Sequence, residues 1–408
     1  MESAKYFILV GTLLLVMAIS PGILKRAPFT SSIVYLLFGI LLGRHGLNLI
    51  GLHPLDHTVL IEVLSEITVI ISLFTVGLKI HFPITDKRWR VPLSLATFSM
   101  VFTVGLVAAL AHFFLDMELG QSILLGAIAA PTDPVLASEV QLDGPRDPSR
   151  KKFILTAEGG LNDGTAFPFV MLGLFILSGN SQAWTMSEWI FKDLLWRISG
   201  GVAIGCLCGI IISQIAEKVH INKKNTYLED FITISSIALS YGMALQFHTY
   251  GFLAVFANAL TIRQIESKKS NFLMRTFKQD LSDKALSFNE QLERIFEFIS
   301  VSLVGLLIDL RSLTWDCAFV AIAIFLVIRP LSIFLGTSFS DLSFREKSFL
   351  SWFGVRGIGS IYYLYYAINH SSFMGDRDLL IKYTLWIIFF SIVIHGSSVK
   401  MVMKRWKN

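Results

Sequence analysis

The sequence predicts an all-α polytopic membrane protein. It has about thirteen transmembrane helices, an outside N-terminus and an inside C-terminus, and two inverted six-helix repeats in which helices 5 and 12 are interrupted. Three observations predict this. Of 408 residues, 53% are hydrophobic and 16% are charged, against roughly 25% charged in a soluble domain. Apolar stretches of about 20 residues, enough to cross a bilayer, recur along nearly the whole chain. Lys and Arg gather in alternate connections, which fixes a sidedness.

The spans read, in order, 6–24, 31–50, 59–79, 91–114, 120–140, 153–178, 194–215, 228–247, 250–265, 293–310, 316–336, 347–369 and 380–403. The first lacks a basic leader and a small-residue cleavage site, so it reads as a retained span rather than a cleaved signal. Basic residues follow every second span: Lys25 and Arg26; Lys87, Arg88 and Arg90; Arg146, Arg150, Lys151 and Lys152; Lys218, Lys223 and Lys224; Arg263 through Lys284; and Lys404, Arg405 and Lys407. The alternate connections 115–119 and 246–250 carry none. Positive loops stay cytoplasmic, so the first span starts outside and the eighth inside. Units 1–6 and 8–13 are then inverted, with 194–215 as a linker, an architecture common among secondary transporters. Segment 266–292 is mixed in charge, with Phe272, Leu273, Phe277, Leu281 and Leu286 at helical spacing; it reads as an amphipathic helix on the cytoplasmic membrane surface.

Composition also excludes. The net charge of +5 resides in short loops, so nucleic acid is not an expected partner; the lipid bilayer of the cell (plasma or inner) membrane is. Cys206, Cys208 and Cys317 lie in apolar segments and imply no disulfide framework. No Gly-x-x-x-x-Gly-Lys-Ser/Thr loop or other cofactor motif occurs, so an ion gradient rather than ATP must supply energy.

The chemistry sits inside the spans. The fifth contains Ala130-Pro131-Thr132-Asp133-Pro134 and the twelfth Gly354-Val355-Arg356-Gly357-Ile358-Gly359. Paired prolines remove helix hydrogen bonds, and glycines weaken a helix. Interrupted spans at matching positions of two repeats point to a transporter's binding site. The sixth span carries Glu158-Gly-Gly-Leu-Asn162-Asp163-Gly. At a rise of about 1.5 Å per residue, Glu158 lies about 8 Å deep and Asp163 about 15 Å, near the bilayer centre. Ionisable groups at such depth mark ion or proton paths. Arg356, about 13 Å deep on the same estimate, needs a carboxylate partner, and Glu158 is the expected one. Asn162, on the same helix face as Glu158, would hydrogen-bond the broken backbone. Asp133 with Thr132 either neutralises a half-helix end or joins an ion shell.

Asp163 is then free for a transported ion. A carboxyl drawn out of water favours its neutral form. A small cation arriving with backbone carbonyls and the Thr132 oxygen would displace the proton. One group that takes a proton or a cation, never both, suffices for electroneutral exchange. Of the weaker groups, Glu62 and Glu66 either line a cavity or form a structural pair, Arg329-Pro330 braces the bundle, and His112, His248 and His395 are structural. A channel without proton coupling remains open as an alternative. An intramembrane protease using Asp133 and Asp163 lacks the Gly-x-Gly-Asp arrangement and leaves Arg356 without a task, so no enzyme is expected.

Taken together, Ala130-Pro131-Thr132-Asp133-Pro134, Glu158 with Asn162-Asp163-Gly164, Arg329-Pro330 and Trp352-Phe-Gly-Val-Arg356-Gly357 resemble the NhaP-type monovalent cation/proton antiporters, the group that includes the animal sodium/proton exchangers. The resemblance runs over nearly the whole chain. It implies a homodimer with one transmembrane domain per chain (1–408). Core helices at about 91–178 and 316–403 would move against interface helices at about 6–79 and 228–310. It also implies that Asp163 binds ion and proton, that Thr132 and Asp133 contribute to the cation site, and that Glu158 and Arg356 form a structural pair. Exchange would be electroneutral, because Asn162 precedes Asp163 where electrogenic relatives have a second Asp. Gly159 and Thr75 depart from some relatives' serine and acidic residue, which leaves sodium and potassium both candidates.

Overall fold

The fold comes from a computed structural model, which describes residues 11–12, 15–19, 29–178, 185–222, 227–270, 280–370 and 376–406. All regular structure among them is helical. The helices are α1 (Ser31–Leu42), α2 (Thr58–Lys79), α3 (Lys87–Phe114), α4 (Leu119–Ala129), α5 (Arg150–Leu177), α6 (Met186–Lys218), α7 (Tyr227–Gln246), α8 (Gly251–Ser270), α9 (Asp280–Leu307), α10 (Trp315–Gly336), α11 (Phe344–Trp352), α12 (Ile358–Asn369) and α13 (Arg377–Trp406). Among the described residues six of these, α2, α3, α5, α6, α10 and α13, are long and apolar enough to cross a membrane by themselves. The expected first span, 6–24, lies mostly outside the described residues, as do Lys25 and Arg26.

Both expected interruptions are present. The fifth span stops as a helix at Ala129, and residues 130–137 are non-helical up to a short turn at Ser138–Val140. The twelfth divides into α11 and α12 around the non-helical stretch 353–357. α3 and α10, at matching positions in the two expected repeats, each relax into a π turn, at Leu95–Ser99 and Ile324–Ile328.

One element differs from expectation. No separate surface helix occupies 266–292 in the described residues: 266–270 end α8, 280–292 begin α9, and Phe272, Leu273 and Phe277 lie outside the described set. α9 therefore starts 13 residues before the expected span, and the reason is charge pairing. Glu290 meets Lys79 at 3.3 Å, Asp283 meets Arg263 at 3.0 Å, and Glu293 accepts from Ser72 at 2.9 Å. A hydropathy window leaves Asp283 and Glu290 outside the span, whereas the bundle pairs them internally and the helix continues.

Small residues let helices approach backbone to backbone, as membrane packing requires. Gly201, Gly205 and Gly209 of α6 face the carbonyls of Tyr250, Ala254 and Asn258 on or beside α8, each so near that an added Cβ would strike one. Cys206, Cys208 and Cys317 are unpaired, as expected.

Candidate ion-binding site

The two interruptions cross. The Asp133 N–H donates to the Val355 carbonyl at 2.8 Å, joining one broken segment to the other. Each break then caps a half-helix belonging to the opposite one. Asp133 Oδ1 accepts from the N–H groups of Val135 (2.8 Å) and Leu136 (3.1 Å), and Oδ2 accepts from the N–H of Ile358, the first residue of α12. Arg356 Nε donates at 2.6 Å to the carbonyl of Ala129, the last residue of α4. Its Nη1 donates to Gly354 O, and its backbone N–H to Ser391 Oγ at 2.7 Å. Ser360 adds a bond to Ile128 O at 2.6 Å. A carboxylate thus faces a positive helix start and a guanidinium faces a negative helix end, the favourable sense for both dipoles. Of the two roles open to Asp133 from sequence, this geometry is that of the half-helix cap.

The crossing leaves no room at Gly357. A Cβ there would sit 2.5 Å from Asp133 Oδ2 and would strike Leu136 as well. Gly357→Ala is expected to displace the Asp133 cap, cost about 1–3 kcal/mol, and remove transport in reconstituted protein. Wild-type rates with an unchanged melting temperature would contradict the crossing as described.

Glu158 does not pair with Arg356. Its carboxylate is held by Arg329 of α10 through two parallel bonds of 2.6 and 3.0 Å, with both side chains buried. The expectation fails because Arg329 presents its guanidinium fork squarely to Glu158, the geometry that makes such pairs strong, while Arg356 is committed to carbonyl oxygens. The two arginines remain neighbours, both packed where a Cβ on Gly354 would stand. Arg329, read from sequence as a brace, is the partner.

Asn162 donates from Nδ2 to Thr132 Oγ1 at 3.0 Å, tying α5 to the break after α4. Its Oδ1 is buried without a hydrogen-bond partner. Asp163 is 1% exposed and lies within electrostatic reach of Asp133. Among the described residues no basic side chain pairs with it, and one side chain, Tyr363 of α12, donates to its carboxylate. Gly359 packs against the same oxygen: an added Cβ would lie 2.8 Å from Oδ1 and 3.9 Å from Oδ2. Oδ2 is thus the oxygen farther from Gly359. Asp163, Asp133, Thr132 and Asn162 are brought together as expected, with Arg356 at the crossing and Glu158 one layer away with Arg329.

Sequence reading missed Tyr363. Its signal was available: Gly359 and Tyr363 are four apart, hence on one helix face, and polar Tyr occupies 362, 363, 365 and 366 of an apolar segment. Among the described residues, no group of three or more His, Cys, Asp or Glu could hold a metal ion. Any cation here would also need hydroxyl, amide or backbone oxygen.

The two ends of the bundle differ. Around the basic loop 143–152, with Arg263, Glu290, Glu346 and Trp406, lies a cavity of about 1410 Å³. At the opposite end, Glu62 accepts from Asn369 at 2.6 Å and meets His370 at 3.3 Å, while Glu66 accepts from Tyr241. The two glutamates, one turn apart on α2, have separate partners rather than each other. Phe167, Phe252, Tyr362, Tyr363 and Tyr366 stack edge to face between that end and Asp163. His395 bonds Ser391 O at 2.9 Å and packs on Phe325, and His112 bonds Met117 O at 2.8 Å, both structural arrangements.

Residues 11–405 match the family described as sodium/hydrogen exchanger, transmembrane. The chain belongs to that family. It is 26% identical over 420 residues to the Na(+)/H(+) antiporter NhaH of Halobacillus aidingensis, covering 96% of both chains. It is also 26% identical over 421 residues to the K(+)/H(+) antiporter NhaP of Alkalimonas amylolytica, covering all of this chain and 67% of that one. Its fold matches that of the sodium proton antiporter MjNhaP1 from Methanocaldococcus jannaschii, with a TM-score of 0.74 over 97% of this chain and 98% of that one, at 19% identity. The exchanger family member is therefore a multi-pass membrane protein of a kind whose named relatives are antiporters.

Proposed function

We propose that this chain exchanges a monovalent cation, Na+ or K+ with Li+ as a third candidate, for H+. The exchange runs by alternating access, with cation and proton competing for Asp163. One observation carries the reading: a fully buried carboxyl, mid-helix, with no basic partner among the described residues, while Arg329 is held by Glu158 and Arg356 by backbone carbonyls. An unpaired carboxylate withdrawn from water is costly, so Asp163 is expected to hold a proton or a cation at all times. Asn162 Oδ1 and the Thr132 hydroxyl are the neighbouring oxygens suited to a cation.

Electroneutral 1:1 exchange follows if Asp163 alone cycles. Asp133 supports that, since backbone N–H groups occupy both its oxygens. The relatives are named for Na+ and for K+ at equal identity, and both stay in the proposal. The two repeats are supported by paired breaks and paired π turns at matching positions, and the outside N-terminus rests on the basic connections alone. Core helices at about 91–178 and 316–403 would move against the interface helices of a homodimer.

A pH-sensitive dye in everted vesicles tests the function. Adding Na+ or K+ to acidified vesicles is expected to release protons; cation entry without proton movement would favour a channel instead. In proteoliposomes, clamping the membrane potential at 0 or 100 mV, where each net charge moved is worth about 2.3 kcal/mol per 100 mV, is expected to leave the exchange rate unchanged. A rate that follows voltage would exclude 1:1 exchange.

A further inference from the structure

We propose that Tyr363 is a positioning residue that sets how well a monovalent cation competes with a proton at Asp163. The proposal rests on the assignment of Asp163 as the exchanging group. Tyr363 is fully buried on α12, and its hydroxyl has one hydrogen but two acceptors on the same residue. The backbone carbonyl of Asp163 lies at 2.5 Å and carboxylate Oδ1 at 3.2 Å. A bare carboxylate is the stronger acceptor, so the hydrogen turns to Oδ1 when Asp163 is charged and stays on the carbonyl when it is neutral. A donor that serves the charged form favours it over the protonated one.

Two features make this more than a tether between helices. Gly359, one turn before Tyr363, faces Oδ1 more closely than Oδ2, since an added Cβ would lie 2.8 Å from the one and 3.9 Å from the other; the contacts from α12 therefore fall on Oδ1, and Oδ2 is the oxygen assigned to the exchanging ion. The tyrosine ring is held by Phe167, Phe252 and Tyr362 at centroid distances of 5.8, 6.4 and 5.6 Å. The hydroxyl is therefore delivered by packing that does not depend on it. Removing the hydroxyl strengthens proton binding more than cation binding, because the proton neutralises the carboxylate outright.

The test is Tyr363→Phe in proteoliposomes, assayed with Na+ and K+ over a pH series. Tyr365→Phe serves as control, since Tyr365 is equally buried on the same helix and its hydroxyl has no partner. The apparent KM for the cation in Tyr363→Phe is expected to rise about ten-fold at the acid end, to approach wild type at the alkaline end where protons no longer compete, and to leave the maximal rate within about two-fold. Tyr365→Phe is expected to match wild type throughout. An unchanged KM, or a rise by the same factor at every pH, would overturn the proposal. Should Tyr363→Phe fail to accumulate, a ring-fluorinated tyrosine at 363, a stronger donor of nearly the same shape, is expected to lower the KM at the acid end; no change there would overturn it equally. Asp163→Asn in the same series keeps the two levels apart. Exchange by that variant would remove the assignment of Asp163, whereas an inactive Asp163→Asn beside a normal Tyr363→Phe would remove the role of Tyr363 alone.

Discussion

Asp163→Asn is expected to reduce cation-driven proton movement to that of empty liposomes while leaving a folded, monodisperse protein. The asparagine has the same shape and keeps an oxygen for Tyr363, whose hydroxyl still reaches the backbone carbonyl at 2.5 Å. It contacts no basic group, so no ion pair is lost on substitution, and a group that is costly to charge in the membrane is removed. Thermal stability should therefore hold or rise. Asparagine cannot exchange a proton at any working pH, and nothing nearby replaces it: the Asp133 oxygens are occupied by Val135, Leu136 and Ile358. Loss of transport with intact folding separates a working carboxylate from a structural one. Loss of both would place Asp163 with Glu158 as a framework residue.

Arg329→Met is expected to destabilise the protein by about 3–5 kcal/mol, because it strands the buried charge of Glu158. Glu158→Gln, which strands Arg329, should cost a similar amount. Replacing both, Glu158→Gln with Arg329→Met, is expected to recover most of the loss, since a neutral filling of the same volume is often as stable as a buried pair. The coupling energy from that cycle, measured by thermal unfolding of purified protein, should clearly exceed the coupling of Glu158 with Arg356. Arg356 donates to Ala129 and Gly354 carbonyls instead, so Arg356→Gln should act through the end of α4. A large Glu158–Arg356 coupling beside a small Glu158–Arg329 one would restore the pairing expected from sequence.

The contrast between those two arginines marks the limit of what the chain reveals unaided. Periodic apolar windows and basic loops locate spans because the bilayer imposes a length and a sidedness that every span obeys. Prolines 131 and 134 and glycines 354, 357 and 359 locate the breaks because they act on their own backbone. The depths expected for Glu158, Asp163 and Arg356 rest on helical rise alone. Which arginine meets Glu158 depends on how α5, α10 and α11 rotate about their axes, and no local property records that. The early start of α9 was hidden for the same reason, since Asp283 and Glu290 read as part of a surface helix until Arg263 and Lys79 are placed opposite them. The double cap, Asp133 on α12 and Arg356 on α4, likewise appears only once the breaks are seen to cross.

Proton release from purified protein in weakly buffered detergent solution, on addition of Na+ or K+ near neutral pH, bears most directly on the competition at Asp163. Release of one proton per cation bound, saturating with the cation and absent in Asp163→Asn, is the result expected. Cation binding that releases no proton from the wild type would mean that both ions are held at once, and exchange at a single carboxyl would be contradicted.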